Sequence, residues 1–338
     1  MGRFAPYVRN VFSGSRARSP IGSAEAAPGY LEHTHWLRYQ EFFPGALRST
    51  TTNSPTEHRW SWRGAPLHLD VVRRDDAAAK LLMLHGIGGY GRMLAPYARL
   101  PALSGLECLA PDLPGHGLSP AVGYHLTYRH WVDCVIDLIA AERVADRRPV
   151  VLFGLGLGGW LAYQVAARVP DRVAALVVTS LADPRSPDVR GGLVANPGAG
   201  LLAEALARAP MFPVSHRVPL HRLLDITAVS DNARFAAVYA ADELGGATTI
   251  PLRLFRSYLR LPPAVSPANF TAPPVLLASP EADRWTPGVR SERFLGRLNA
   301  PKRSVPLPGS GHMPRAESAL AELDRAVGYF FEEFRIPH

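Results

Sequence analysis

The chain has 338 residues, 47% hydrophobic and 20% charged, with a mean hydropathy of −0.01. That composition excludes wholesale disorder, and the lack of any eighteen-residue apolar run excludes a membrane-spanning helix. The net charge is +8, but only Lys80 and Lys302 of the 37 basic residues are lysines; the 35 arginines are scattered and form no basic-aromatic module, so nucleic acid is not an expected partner.

Residues 1–24 hold four arginines and no acid, half of the net charge. They contain no apolar core of a secretory signal, and Pro6 breaks a myristoylation pattern. A flexible or loosely docked arm is expected over 1–56. Residues 57–63 and 66–74 read as two strands around a turn at Gly64. Apolar runs at 81–87, 107–112, 149–156 and 173–180 then alternate with helical stretches that start at Met93 and span 128–144 and 160–169. In 128–144, Trp131, Val135, Leu138 and Ile139 fall at helical spacing. This β-α-β alternation predicts an α/β fold, with a mostly parallel central sheet and helices on both faces.

The alternation stops over 183–271. That stretch is rich in Pro, Arg and Ala, with helical patches and no clear strand, and reads as an inserted helical cap. One patch, LRLFRSYLR (252–260), puts Arg253, Arg256 and Arg260 on one face, which reads as a solvated helix face. Its Leu252, Phe255 and Leu259 suit either an apolar ligand or ordinary core packing. The sheet pattern resumes at 274–281 and at 304–312, and a final helix ends near Phe334. The expected core therefore comprises 57–182 and 272–338.

Ligands of parallel α/β sheets gather at the carboxyl ends of the strands. Four segments fall there. His85-Gly86-Ile87-Gly88-Gly89 has small residues that let a backbone N–H face a ligand oxygen. Pro111-Asp112-Leu113-Pro114-Gly115-His116-Gly117-Leu118-Ser119 reads as a structural strand exit. Phe153-Gly154-Leu155-Gly156-Leu157-Gly158-Gly159 joins a strand to a helix. Asp283, in EADRWTP, and His312, in GSGHMP, follow two late strands in the order acid, then histidine.

Together these segments, from about residue 60 to 336, resemble the α/β-hydrolase superfamily, particularly its bacterial lysophospholipase or monoacylglycerol-lipase-like branch. The resemblance implies an α/β-hydrolase fold and an apolar ester or acyl substrate. In that family the turn after the strand reads G-x-S-x-G and its serine is the nucleophile. Carried over, Asp283 orients His312, His312 activates the nucleophile, and the N–H groups of Ile87 and Leu157 form the oxyanion hole. His85, Gly86 and Gly88 would border the substrate.

The nucleophile position departs from the family pattern: it is Gly156, which has no hydroxyl. Neither cysteine replaces it, because Cys108 falls in a predicted strand and Cys134 in a predicted helix. Glycine takes the strained turn of that position without steric cost. Three readings stay open. The chain is an inactivated form of a serine ester hydrolase; or His312 and Asp283 work without a covalent intermediate, by water activation, elimination or cyclisation; or the site only binds. Gly154-x-Gly156-x-x-Gly159 also matches the dinucleotide fingerprint formally, but the next strand ends in Val177-Val178-Thr179-Ser180, without the ribose-binding acid. No cofactor and no metal are expected, since two cysteines build no zinc site and no ligand spacing appears. Free thiols fit the cytoplasm. Nothing in the sequence speaks to oligomeric state.

Overall fold

The computed structural model describes residues 22–23, 29–121, 125–208 and 216–338. Eight strands form the body of one sheet: β1 (Thr56–Trp62), β2 (Ala65–Val72), β3 (Lys80–Leu84), β4 (Glu107–Pro111), β5 (Val150–Gly154), β6 (Val173–Val178), β7 (Val275–Pro280) and β8 (Lys302–Leu307). Their spatial order is β1-β2-β4-β3-β5-β6-β7-β8, with a two-residue strand, Gly22–Ser23, paired outside β1. β1 with β2 and β2 with β4 run antiparallel. Every pairing from β4 to β8 is parallel.

Local chemistry explains these elements. Arg63 (φ 49°) and Gly64 (φ 78°) both have positive φ, giving the two-residue turn whose twist suits a hairpin. All residues of β3, β4, β5 and β7 are buried, as expected of parallel strands covered on both faces. The helix Tyr128–Ala145 opens with a capping box between Thr127 and His130. It packs on the helix Gly158–Ala166, which lies against β5 and β6.

Three regions differ from their expected form. The helix expected from Met93 is replaced by short 3-10 turns, Gly91–Leu94 and Tyr97–Arg99, and one α-turn, Pro101–Ser104. Pro96 and Pro101 have no N–H to continue a helix. The segment expected as an arm is packed from Tyr30 onward, with a helix at His35–Gln40 and Tyr30, Trp36, Tyr39, Phe43 and Leu47 buried. Its first stretch, residues 1–21 with Arg3, Arg9, Arg16 and Arg18, lies outside the described residues. Finally, the stretch 183–271 contains strand as well as helix. Arg217–Pro219 and Thr249–Pro251 pair antiparallel, and each is too short, and ends in a proline, to show alternation in sequence.

The segment between the neighbouring strands β6 and β7 leaves the sheet. Besides that strand pair it carries the helices Pro187–Leu193, Pro197–Arg208, Ala233–Ala240 and Leu252–Arg260. In the last of these, Leu252, Phe255 and Leu259 belong to the buried core. Arg253 and Arg256 are half-buried and Arg260 is exposed. No helix among the described residues is long and apolar enough to cross a membrane.

Candidate active site

Four strand exits converge. β3 leads into 85–89, β5 into 155–157, β7 into 281–287 and β8 into 308–314. Gly156 has φ +53°, the left-handed conformation that costs a Cβ-bearing residue about 1–2 kcal/mol. Its N–H donates to Thr179 Oγ1 at 2.7 Å. The neighbouring glycines answer a packing demand. A Cβ at Gly158 would lie 2.1 Å from the Leu84 carbonyl oxygen, and one at Gly159 would lie 1.9 Å from that of Ser180. The helix start is therefore wedged between β3 and β6; a Cβ at Gly154 would likewise lie 2.6 Å from the Gly158 carbonyl oxygen, so close packing at Gly154 and Gly159 and the turn at Gly156 account for the G-x-G-x-x-G spacing.

His312 and Asp283 meet although they are 29 residues apart: His312 Nδ1 lies 2.8 Å from Asp283 Oδ2. Three further donors hold the carboxylate. The N–H groups of Trp285 (2.8 Å) and Thr286 (2.9 Å) donate to Oδ1, and Thr286 Oγ1 donates to Oδ2 at 2.7 Å. Burial works against ionisation of Asp283, but the neighbouring His312 and the hydrogen bonds from His312 and Thr286 outweigh it. They hold the carboxyl below its ordinary range. The Trp285 ring stands edge-on to the imidazole, with centroids 4.7 Å apart, and so fixes the ring plane.

His312 Nε2 points at Gly156. A Cβ built on Gly156 would lie 2.1 Å from Nε2 and 2.6 Å from Cε1. The imidazole thus fills the space an elbow side chain would take. The ring borders a cavity of about 40 Å³ together with Gly86, Ile87, Gly88, Leu157 and Trp285. That is room for a few waters at most. The N–H groups of Ile87 and Leu157 have no hydrogen-bond partner among the described residues. Leu157 sits at the start of the helix Gly158–Ala166, where the backbone favours negative charge.

The expected substrate-bordering residues have distinct duties. His85 lines the cavity, but both its ring nitrogens are used internally. Leu113 N–H donates to Nε2 at 3.0 Å, so Nδ1 carries the proton and donates to the Gly86 carbonyl at 2.8 Å. Burial lowers its pKa and keeps it neutral. It braces the loop rather than offering a free nitrogen. Gly86 packs against Leu157: a Cβ there would lie 2.7 Å from Leu157 Cβ. Gly88 is covered by Leu220 and Tyr239 of the inserted segment, where Tyr239 hydroxyl donates to its carbonyl at 3.1 Å.

Sequence reasoning missed Thr286, Trp285, Thr179 and Tyr239. Trp285 and Thr286 lie in the acid loop already singled out, two and three residues after Asp283. A hydroxyl or N–H at that spacing commonly turns back onto an aspartate. Tyr239 had no signal, since it reaches Gly88 across 151 residues. Among the described residues no three His, Cys, Asp or Glu side chains are grouped as metal ligands would be.

An alpha/beta hydrolase family model matches residues 81–326. The chain is 42% identical over 102 residues to a pimeloyl-[acyl-carrier protein] methyl ester esterase of Chromobacterium violaceum, covering 30% of this chain and 37% of that protein. It spans little more than a third of the length of such curated relatives. Among solved structures it is similar to the monoacylglycerol lipase of Paleococcus ferrophilus, with a TM-score of 0.60 and 22% identity, covering 79% of this chain and 99% of that one. It is also similar to a soluble variant of Saccharomyces cerevisiae monoglyceride lipase in complex with a substrate analog, with a TM-score of 0.67 and 15% identity, covering 86% and 98% of the two chains. At these identities the structural likeness speaks to the fold.

Proposed function

Because the chain belongs to the alpha/beta hydrolase family, we propose that it acts on an apolar ester or acyl compound through His312 and Asp283, without a covalent intermediate. The observation that carries this reading is the imidazole itself. Its Nε2 stands 2.1 Å from the position of a Gly156 Cβ, and the ring borders the small cavity with room for water, so the base stands beside the space a reacting water would use.

The chemistry balances without a protein nucleophile. A water oxygen adds to the substrate carbonyl carbon while its proton passes to His312 Nε2. The carbonyl oxygen takes the negative charge, opposite the N–H groups of Ile87 and Leu157. The intermediate collapses, the bond to the leaving oxygen breaks, and His312 returns the proton to that oxygen. An acid and an alcohol leave, and one water is consumed. Asp283 stays ionised and stabilises the transient imidazolium. Both cysteines are buried free thiols, which supports a cytoplasmic setting.

A second reading is an ester hydrolase whose nucleophilic serine is replaced by Gly156. The esterase names among the relatives favour it, as does the presence of every other expected site residue. One experiment separates the two. Hydrolysis of medium-chain p-nitrophenyl esters is measured for the chain itself, for His312→Ala and for Gly156→Ser. The non-covalent reading expects turnover by the chain itself, lost in His312→Ala, with no acyl-enzyme by mass spectrometry. An inert chain whose Gly156→Ser variant turns over and acylates would replace it with the second reading. Inert enzymes in all three, with ester still bound, would leave a binding site alone.

A further inference from the structure

A second cleft, of about 500 Å³, lies away from His312 and shares no lining residue with its cavity. It runs between the segment 46–56, the end of β2 and the short turns before β4. Its volume falls in the range of small-molecule sites.

The lining divides by chemistry. Val71, Val72, Ala95, Ala98, Leu106 and Cys108 give an apolar floor, and Arg73, Arg74 and Arg99 bring guanidinium groups; no acidic side chain lines the cleft. Arg73 pairs with Glu107. No carboxylate lies within ion-pair distance of Arg74 or Arg99 among the described residues. Two buried polar atoms in this lining also lack a hydrogen-bond partner there, Arg99 Nε and Ser49 Oγ. Ser49 is 2% exposed, and only its backbone N–H is engaged, donating to Gln40 Oε1 at 2.8 Å. Among the described residues Arg99 reaches no acceptor nearer than the Asn53 carbonyl, 3.5 Å from Nη1. Buried donors without acceptors are rare in folded proteins and point to a missing partner.

We propose that this cleft binds a small amphiphilic anion, an aliphatic monocarboxylate. Its head accepts hydrogen bonds from Arg99 and Ser49 and faces Arg74, and its chain lies on the Val71–Ala98–Leu106 floor. Guanidinium matches a carboxylate in charge and in planar geometry. The proposal is independent of the reading of His312.

Calorimetric titration with sodium octanoate tests it, with octanol and inorganic phosphate as separate probes. Octanoate is expected to bind the chain and His312→Ala with equal Kd. Binding should weaken about ten-fold or more in Arg99→Gln and in Ala98→Phe, which fills the floor. Octanol and phosphate should each bind far more weakly than octanoate. Arg74→Gln, at an exposed side chain, carries the same test should Ala98→Phe fail to fold. The proposal falls if octanoate does not bind, or if His312→Ala loses it while Arg99→Gln and Arg74→Gln keep it. It also falls if octanol or phosphate binds as tightly as octanoate.

Discussion

His312 and His68 each sit beside a buried aspartate. His312 Nδ1 is 2.8 Å from Asp283, and His68 Nδ1 is 3.3 Å from Asp112. Their surroundings differ. His312 has one carboxylate, and its second nitrogen faces a cavity. His68 is fully enclosed and has three. Its Nε2 lies 2.9 Å from Glu57 and 3.6 Å from Asp70. Arg92 clamps Asp70 through Nε at 2.5 Å and Nη2 at 2.7 Å, and Tyr30 hydroxyl donates to Asp112 at 2.6 Å. Burial favours a neutral His68 ring, yet the carboxylates of Asp112, Glu57 and Asp70 overcome it and raise the pKa to about 9. His68 is thus a fixed cation in a closed network, while His312 keeps a nitrogen available for proton transfer. A histidine–aspartate contact is therefore not diagnostic by itself. What matters is how many carboxylates surround the ring and what its other nitrogen meets.

The comparison breaks most directly at His312. His312→Ala is expected to cut ester turnover by about 10²–10⁴-fold with little change in the urea midpoint; a variant of unchanged rate would remove the assigned role. Arg92→Met should do the reverse. It strands Asp70 in the closed network and destabilises the fold by about 3–5 kcal/mol, read as a lower urea midpoint. A midpoint within error of the parent would show that the network holds little of the fold.

Next comes pH. The folded pKa of His68, about 9, lies above the ordinary value of 6.5. Its stabilisation is therefore fully present below about pH 6.5 and lost as pH rises through about 9. Unfolding free energy measured by urea should fall across that window, and His68→Gln should flatten the fall. Asp283 has the opposite sign. Its lowered pKa gives stability that is present above the ordinary carboxyl range and lost as pH falls through its folded value. The smallest expected effect is Thr286→Val, which removes one donor to Asp283 at about 1 kcal/mol. It should move the acid limb of the pH–rate profile upward, and an unmoved limb would show that Thr286 Oγ1 does not hold the carboxylate.

Most of the parallel strands were legible because each is a short, largely apolar run; β8, which opens Lys302-Arg303-Ser304 and is mostly not buried, is the exception. The site loops were legible because Gly, Asp and His recur at the exits of those runs. The network around His68 was not. In PLHLDVV, alternation puts His68 and Asp70 on the face opposite Leu67, Leu69 and Val71, a pattern that carries no sign of a buried polar network. In the folded chain Leu67–Val71 of β2 are buried, with the Tyr30 ring packed edge-on against His68, and composition alone assigned residues 1–56 to an arm. Their aromatic residues, Tyr30, Trp36, Tyr39 and Phe43, were the overlooked signal. The helix misread from Met93 has a similar origin: apolar spacing reports faces, while Pro96 and Pro101 decide continuity. The contact from Tyr239 to Gly88 depends on how the cap folds back, which no local pattern encodes.

The turn at Gly156 makes removing and adding a side chain there unequal steps. Loss of a side chain there relieves a strained backbone and leaves the rest of the fold undisturbed, so it is an easy step. The return is harder. Any new Cβ must accept the left-handed turn and also displace the imbedded imidazole that now stands 2.1 Å away. At this position a side chain is thus easier to remove than to install, and an installed one needs the His312 ring to move first.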